Sequence, residues 1–61
     1  MFEDLIGRKC RILKKDGYTK VGKILEVKNG FIKIELDKSF LIQYIAESLV
    51  ESIDEMASYE N

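Results

Sequence analysis

"LIGRKCRILKKDGYTKVGKILEV", residues 5–27, decides the fold. Within it "RKCRILK" (8–14) alternates, with Cys10 and Ile12 on one side and Lys9, Arg11 and Leu13 on the other. That period of two is the mark of a strand with one solvated face. "KKDGY" then supplies a hairpin turn, because Gly17 accepts a positive φ without steric cost and Asp-Gly is among the strongest short turn signals. "TKVGKILEV" (19–27) resumes as a strand with Gly22 in its middle. An interior glycine weakens a strand, so Gly22 marks a bulge, a sharp bend or a close backbone approach.

Working outward, "FEDLI" places acids at the start of one short helical turn that Gly7 ends. "KNG" (28–30) is a second hairpin turn, and "FIKIEL" (31–36) sets Ile32, Ile34 and Leu36 against Phe31, Lys33 and Glu35. After a third turn, "DKS", comes "FLIQYIA" (40–46), with Leu41, Gln43 and Ile45 on one side and Phe40, Ile42, Tyr44 and Ala46 on the other. A strand this apolar on both faces is covered on both faces or lies in an interface. A tight "AES" connection leads to a fifth strand, "LVESI" (49–53), and "DEMASYEN" has no apolar periodicity beyond local packing of Met56 and Tyr59. The pattern predicts an all-β domain over residues 1–54, a small bent antiparallel sheet or barrel of five strands, with a polar tail over 55–61.

A domain of 61 residues buries only about 60% of the surface its unfolded chain exposes. With one cysteine, no histidine and hence no disulfide pair or metal set, association with copies of itself is the remaining way to stabilise it. Cys10 lies at an apolar strand position with no activating base in view, which makes it a small buried hydrophobe. A free thiol fits a reducing cytoplasm. The acidic "MFEDLIG" is unlike a signal peptide, and no apolar run reaches the roughly 18 residues of a membrane span. The expectation is a soluble cytoplasmic protein that is not an enzyme and needs no cofactor or metal, since without histidine, a cysteine–base pair or a metal-ligand cluster only paired carboxylates remain, and Glu51, Asp54 and Glu55 sit in a solvated acidic end.

The net charge is −1 and the pI is 5.3, which argues against indiscriminate phosphate binding. Its distribution is uneven: residues 1–39 hold ten bases against six acids, a net of +4, and residues 40–61 hold five acids and no base, a net of −5. Beside the bland reading of solvated faces, the basic half meets nucleic acid or the acidic half of a neighbouring copy.

"LIGRKCRILKKDGYTKVGKI" resembles the first signature of the Sm-like (LSm and Hfq type) family of small β-barrels, with Leu5, Gly7, Cys10, Ile12, Lys15, Asp16, Gly17, Gly22 and Ile24 in the signature places. The second signature is matched by "IAESLVESI" in its apolar frame, through Ile45, Val50 and Ile53, so the resemblance runs from Leu5 to Ile53. It implies a short N-terminal helical turn and a five-stranded, strongly bent antiparallel sheet forming an open barrel. It also implies rings, hexamer or heptamer, closed by pairing the fourth strand of one copy with the fifth of the next, with Phe40, Ile42, Tyr44, Val50 and Ile53 at the subunit contact. The uracil-holding positions of the family differ here: Lys28 stands near its Asp, Phe31 near its Asn, and Ala46 and Glu47 replace its Arg-Gly, while "YIA" keeps only the tyrosine of the Hfq Tyr-Lys-His pattern, Tyr44.

Three binding readings follow. The first is a ring-forming RNA-binding protein in which Lys28 meets phosphate, Asn29 a base edge and Phe31 a base face, with single-stranded RNA as partner and weak sequence selectivity. The second is an Sm-like protein-interaction or assembly module that has lost RNA binding, favoured by the acidic pI and by Glu47. A peptide-binding Src-homology-like barrel lacks its clustered aromatics, because Tyr18, Tyr44 and Tyr59 are widely spaced.

Overall fold

A computed structural model describes residues 2–56 of the 61. A 3-10 turn, Glu3–Leu5, precedes strands β1 (Lys9–Lys14), β2 (Thr19–Lys28), β3 (Phe31–Leu36), β4 (Ile42–Ala46) and β5 (Val50–Glu55), with a second 3-10 turn at Glu47–Leu49. All pairings are antiparallel, and the single sheet has the order β4-β3-β2-β1-β5, open between β4 and β5. The expected all-β architecture, five strands and the N-terminal turn are present.

The long β2 serves both hairpins. Thr19–Lys23 pairs with β1 and Gly22–Lys28 with β3, so the two ladders overlap at Gly22 and Lys23. At this junction Gly22 lies between Cys10 and Leu36, and a Cβ there would overlap the Glu35 carbonyl oxygen. Gly22 is therefore the close-approach position. The register irregularity falls further along, between Ile24 and Glu26, where Leu25 has no partner in β3.

One face of the sheet is the core. Cys10, Ile12, Ile24, Ile32 and Ile34 are fully buried and Ile45 nearly so, and Phe2, Leu5, Val27, Leu36, Val50 and Ile53 pack around them. The N-terminal turn covers one end of this core, and the chain is latched to β2 by Gly7 N–H on the Ile24 carbonyl (2.7 Å) and Ile24 N–H on the Arg8 carbonyl (3.0 Å). Cys10 is a free thiol inside this cluster, and burial pushes its pKa up, as expected of a packing residue.

The turns obey their residues. Gly17 has φ +94°, Gly17 N–H donates to the Lys14 carbonyl (2.9 Å), and Tyr18 N–H donates to Asp16 Oδ1 (3.0 Å). Replacing Gly17 by Val forces a β-branched residue into the left-handed region and is expected to cost about 1–2 kcal/mol. Tyr18, 71% exposed, loses much less on the same replacement. Urea midpoints that rank the two variants the other way contradict this assignment of the turn.

The β3–β4 turn departs from expectation. Phe40 and Leu41 lie outside β4: Phe40 N–H closes the turn on the Leu36 carbonyl (2.9 Å), and Leu36 N–H donates to the Leu41 carbonyl (2.8 Å). Closing this turn puts Phe40 at φ +61°, with its ring 71% exposed. Alternation of "FLIQYIA" does not reveal this, because the turn consumes the first two residues of the run. At the other end β5 continues to Glu55, and Met56 N–H donates to the Lys9 carbonyl (2.8 Å). The rest of the expected tail, with Tyr59, lies outside the described residues.

The charge split is met in part within the chain. Because β5 lies beside β1, Arg8 reaches Glu55 (2.7 Å) and Arg11 reaches Asp54 (3.3 Å), joining the basic and acidic halves. The hydrogen bond and charge of Glu55 hold the Arg8 guanidinium above its usual pKa. No helix among the described residues is long and apolar enough to cross a membrane.

Candidate nucleic-acid interface

Lys28, Asn29 and Phe31 come together around the β2–β3 hairpin. Asn29 (φ +54°) and Gly30 (φ +79°) form the two-residue turn, both in the left-handed region that the right-handed twist of the strands requires. Lys28 and Phe31 face each other as the first pair of the ladder. Glu47 N–H donates to the Gly30 carbonyl (2.8 Å), which fixes the β4–β5 connection against the hairpin tip.

The irregularity at Leu25 decides which side chains join them. In an unbroken β2 the residues Gly22, Ile24, Glu26 and Lys28 would share one face, and that face is the core. Skipping Leu25 pairs Glu26 with Lys33 and Val27 with Ile32, so Val27 turns inward while Glu26 and Lys28 turn outward. On the outer face Lys33 opposes Tyr44 and Phe31 opposes Ala46, making Phe31 and Tyr44 diagonal neighbours.

The result is a shallow cavity of about 190 Å³ lined by Glu26, Lys28, Asn29, Phe31, Lys33 and Tyr44. Phe31 and Tyr44 are 48% and 64% exposed, and Lys33 Nζ stands 5.9 Å from the centroid of the Tyr44 ring, at the limit of a cation–π contact. Neither Lys28 nor Lys33 has an ion-pair partner among the described residues. Two open aromatic faces beside two ammonium groups that are not held in ion pairs suit a flat ring attached to an anion. Glu26, Lys33 and Tyr44 are the members that the sequence pattern left out of the RNA site: Lys33 shares the face of Phe31 by alternation, whereas the skipped Leu25 brings in Glu26 and the β3–β4 register brings in Tyr44, and no short motif encodes either.

A larger cavity of about 700 Å³ opens elsewhere on the surface, between Gly7, Leu36, Phe40 and Met56. Its rim charges balance, with Arg8 paired to Glu55, Lys9 to Asp37 (3.1 Å) and Lys23 standing opposite Glu35 in the ladder, so it offers less to an ionic ligand.

The five residues expected at a subunit contact divide between the two open edges of the sheet. Phe40, Ile42 and Tyr44 are exposed at the β4 edge; Val50 and Ile53, on β5 at the opposite edge, pack partly against the core. Within one chain these two groups stand on opposite edges.

Comparison with protein-family models, with curated proteins and with solved structures finds no match to this chain.

Proposed function

We propose that the protein is an Sm-like, ring-forming RNA-binding protein with an atypical and weakly selective site for single-stranded RNA. The observation that carries this reading is the outer-face cavity, which gathers Lys28, Asn29 and Phe31 with Lys33 and Tyr44. Support for the bent, Sm-like form comes from β2 being shared end to end between two hairpins and from a sheet open between β4 and β5. The two loops that adjoin the RNA in the resembled family are here hydrogen-bonded to each other through Glu47 and Gly30.

Fluorescence anisotropy with short labelled RNAs tests it. Lys28→Glu is expected to weaken binding to all sequences alike, since a phosphate contact carries no base information, whereas Lys38→Glu, on the β3–β4 turn, changes it less. Unchanged affinity of Lys28→Glu at low salt contradicts the assignment.

The β4 edge favours a second reading, an Sm-like assembly module without RNA. "IQYIA" contains no charge and no proline, so β4 lacks the usual devices that keep a strand edge from pairing, and Ile42 and Tyr44 lie open beside it. In both readings β4 of one copy adds to β5 of the next. Phe40 separates fold from assembly. Phe40→Gly relieves the left-handed conformation and is expected to stabilise the isolated fold by about 1 kcal/mol, while removing an exposed ring from the contact weakens self-association. Light scattering together with denaturation checks both signs; a wild-type protein that remains monomeric at micromolar concentration contradicts the ring.

A further inference from the structure

Glu26 is the one cavity residue that RNA binding in general does not explain. A carboxylate beside the path of a phosphate backbone opposes binding, and Glu26, though opposite Lys33 in the ladder, is not held in an ion pair with any described residue and so stays open to a ligand. It is also no accident of simple alternation: the skipped Leu25 turns it out of the core and into register with Lys33, beside Phe31 and Tyr44. An ionised carboxylate is an acceptor-only group with two oxygens, so it rewards a ligand that presents two adjacent donors.

We infer that the cavity holds a single unstacked guanine base, its ring against Phe31 or Tyr44 and its Watson–Crick edge toward Glu26; this rests on the RNA reading above and names its preferred base. Guanine alone among the four bases presents two neighbouring donors on that edge, N1–H and the N2 amine. Adenine and cytosine each offer one amine next to an acceptor nitrogen. Uracil offers one N–H between two carbonyl oxygens, which a carboxylate repels. At about 190 Å³ the cavity is smaller than the roughly 300–1,000 Å³ of sites that enclose a whole small molecule, a size suited to one base with its sugar and phosphate outside. Lys28 and Lys33 then meet the flanking phosphates, which keeps the base contact and the charge contact on separate residues.

The test uses labelled uridine-rich pentanucleotides with guanosine, inosine, adenosine or uridine at the centre, titrated by anisotropy into the intact protein at low salt. The guanosine oligomer is expected to bind about 10-fold tighter than the all-uridine one, the scale of a good bidentate pair. Inosine, which lacks only the N2 amine, loses most of that advantage. Glu26→Gln abolishes the preference while the all-uridine oligomer binds as well as before or better, because a negative charge has gone. The guanine assignment is overturned, with RNA binding intact, if the uridine oligomer equals the guanosine one, if inosine binds as tightly as guanosine, or if Glu26→Gln keeps the preference. If none of the four oligomers binds, the RNA reading fails and the guanine assignment with it.

Discussion

Gly22→Ala is expected to destabilise the fold by about 3 kcal/mol, at the upper end of the range for overpacked sites. The added Cβ would overlap the Glu35 carbonyl oxygen and stand within 3.0 Å of Leu36 Cα, so backbone rather than a flexible side-chain end must move. That backbone belongs to β3 at the junction where β1, β2 and β3 share register, and a shift there loosens both ladders at once. A chain of this length is expected to have about 3–9 kcal/mol in total, so the loss is a third of its stability or more. Gly7→Ala is the control: Gly7 has φ +88° and nothing within 4 Å of a built Cβ, so the change costs only the left-handed penalty, about 1 kcal/mol. Equal urea midpoints for the two variants contradict the close approach.

The second large effect is on RNA. Removing an aromatic face by Phe31→Ala or Tyr44→Ala is expected to weaken single-stranded RNA binding by about 1–3 kcal/mol per stacked base, or roughly 5- to 150-fold. Phe31 is the cleaner probe because Tyr44 also borders the open β4 edge. Its half-exposed ring lies outside the core, so Phe31→Ala should leave the denaturation midpoint nearly unchanged. The double variant tells whether both rings hold one base: losses that fail to add indicate a shared base, and additive losses indicate two. Affinities of Phe31→Ala and Tyr44→Ala that both equal the wild type remove the stacking role from the cavity.

Much of this fold is legible in the chain because its local signals agree. Asp16-Gly17 and Asn29-Gly30 each sit between alternating runs, and their conformations follow from the residues alone. Two features resist such reading for a common reason. The skipped Leu25 and the left-handed Phe40 are set by how β2 and β4 must register against β3, a tertiary demand without a sequence signature in "ILEV" or "SFLI". The candidate site inherits the difficulty. Lys28, Asn29 and Phe31 adjoin a visible turn and Lys33 shares the face of Phe31 by alternation, whereas Glu26 and Tyr44 join them only through those registers.

The central claim is that several copies of the chain together bind single-stranded RNA, and sedimentation velocity with detection of a labelled RNA measures both parts at once. At about 50 mM salt the label is predicted to move with a species of ring mass, and at about 200 mM salt a clear fraction is released as counterions compete for Lys28 and Lys33. RNA that sediments free at the lower salt, over protein concentrations that assemble the chain, contradicts the account.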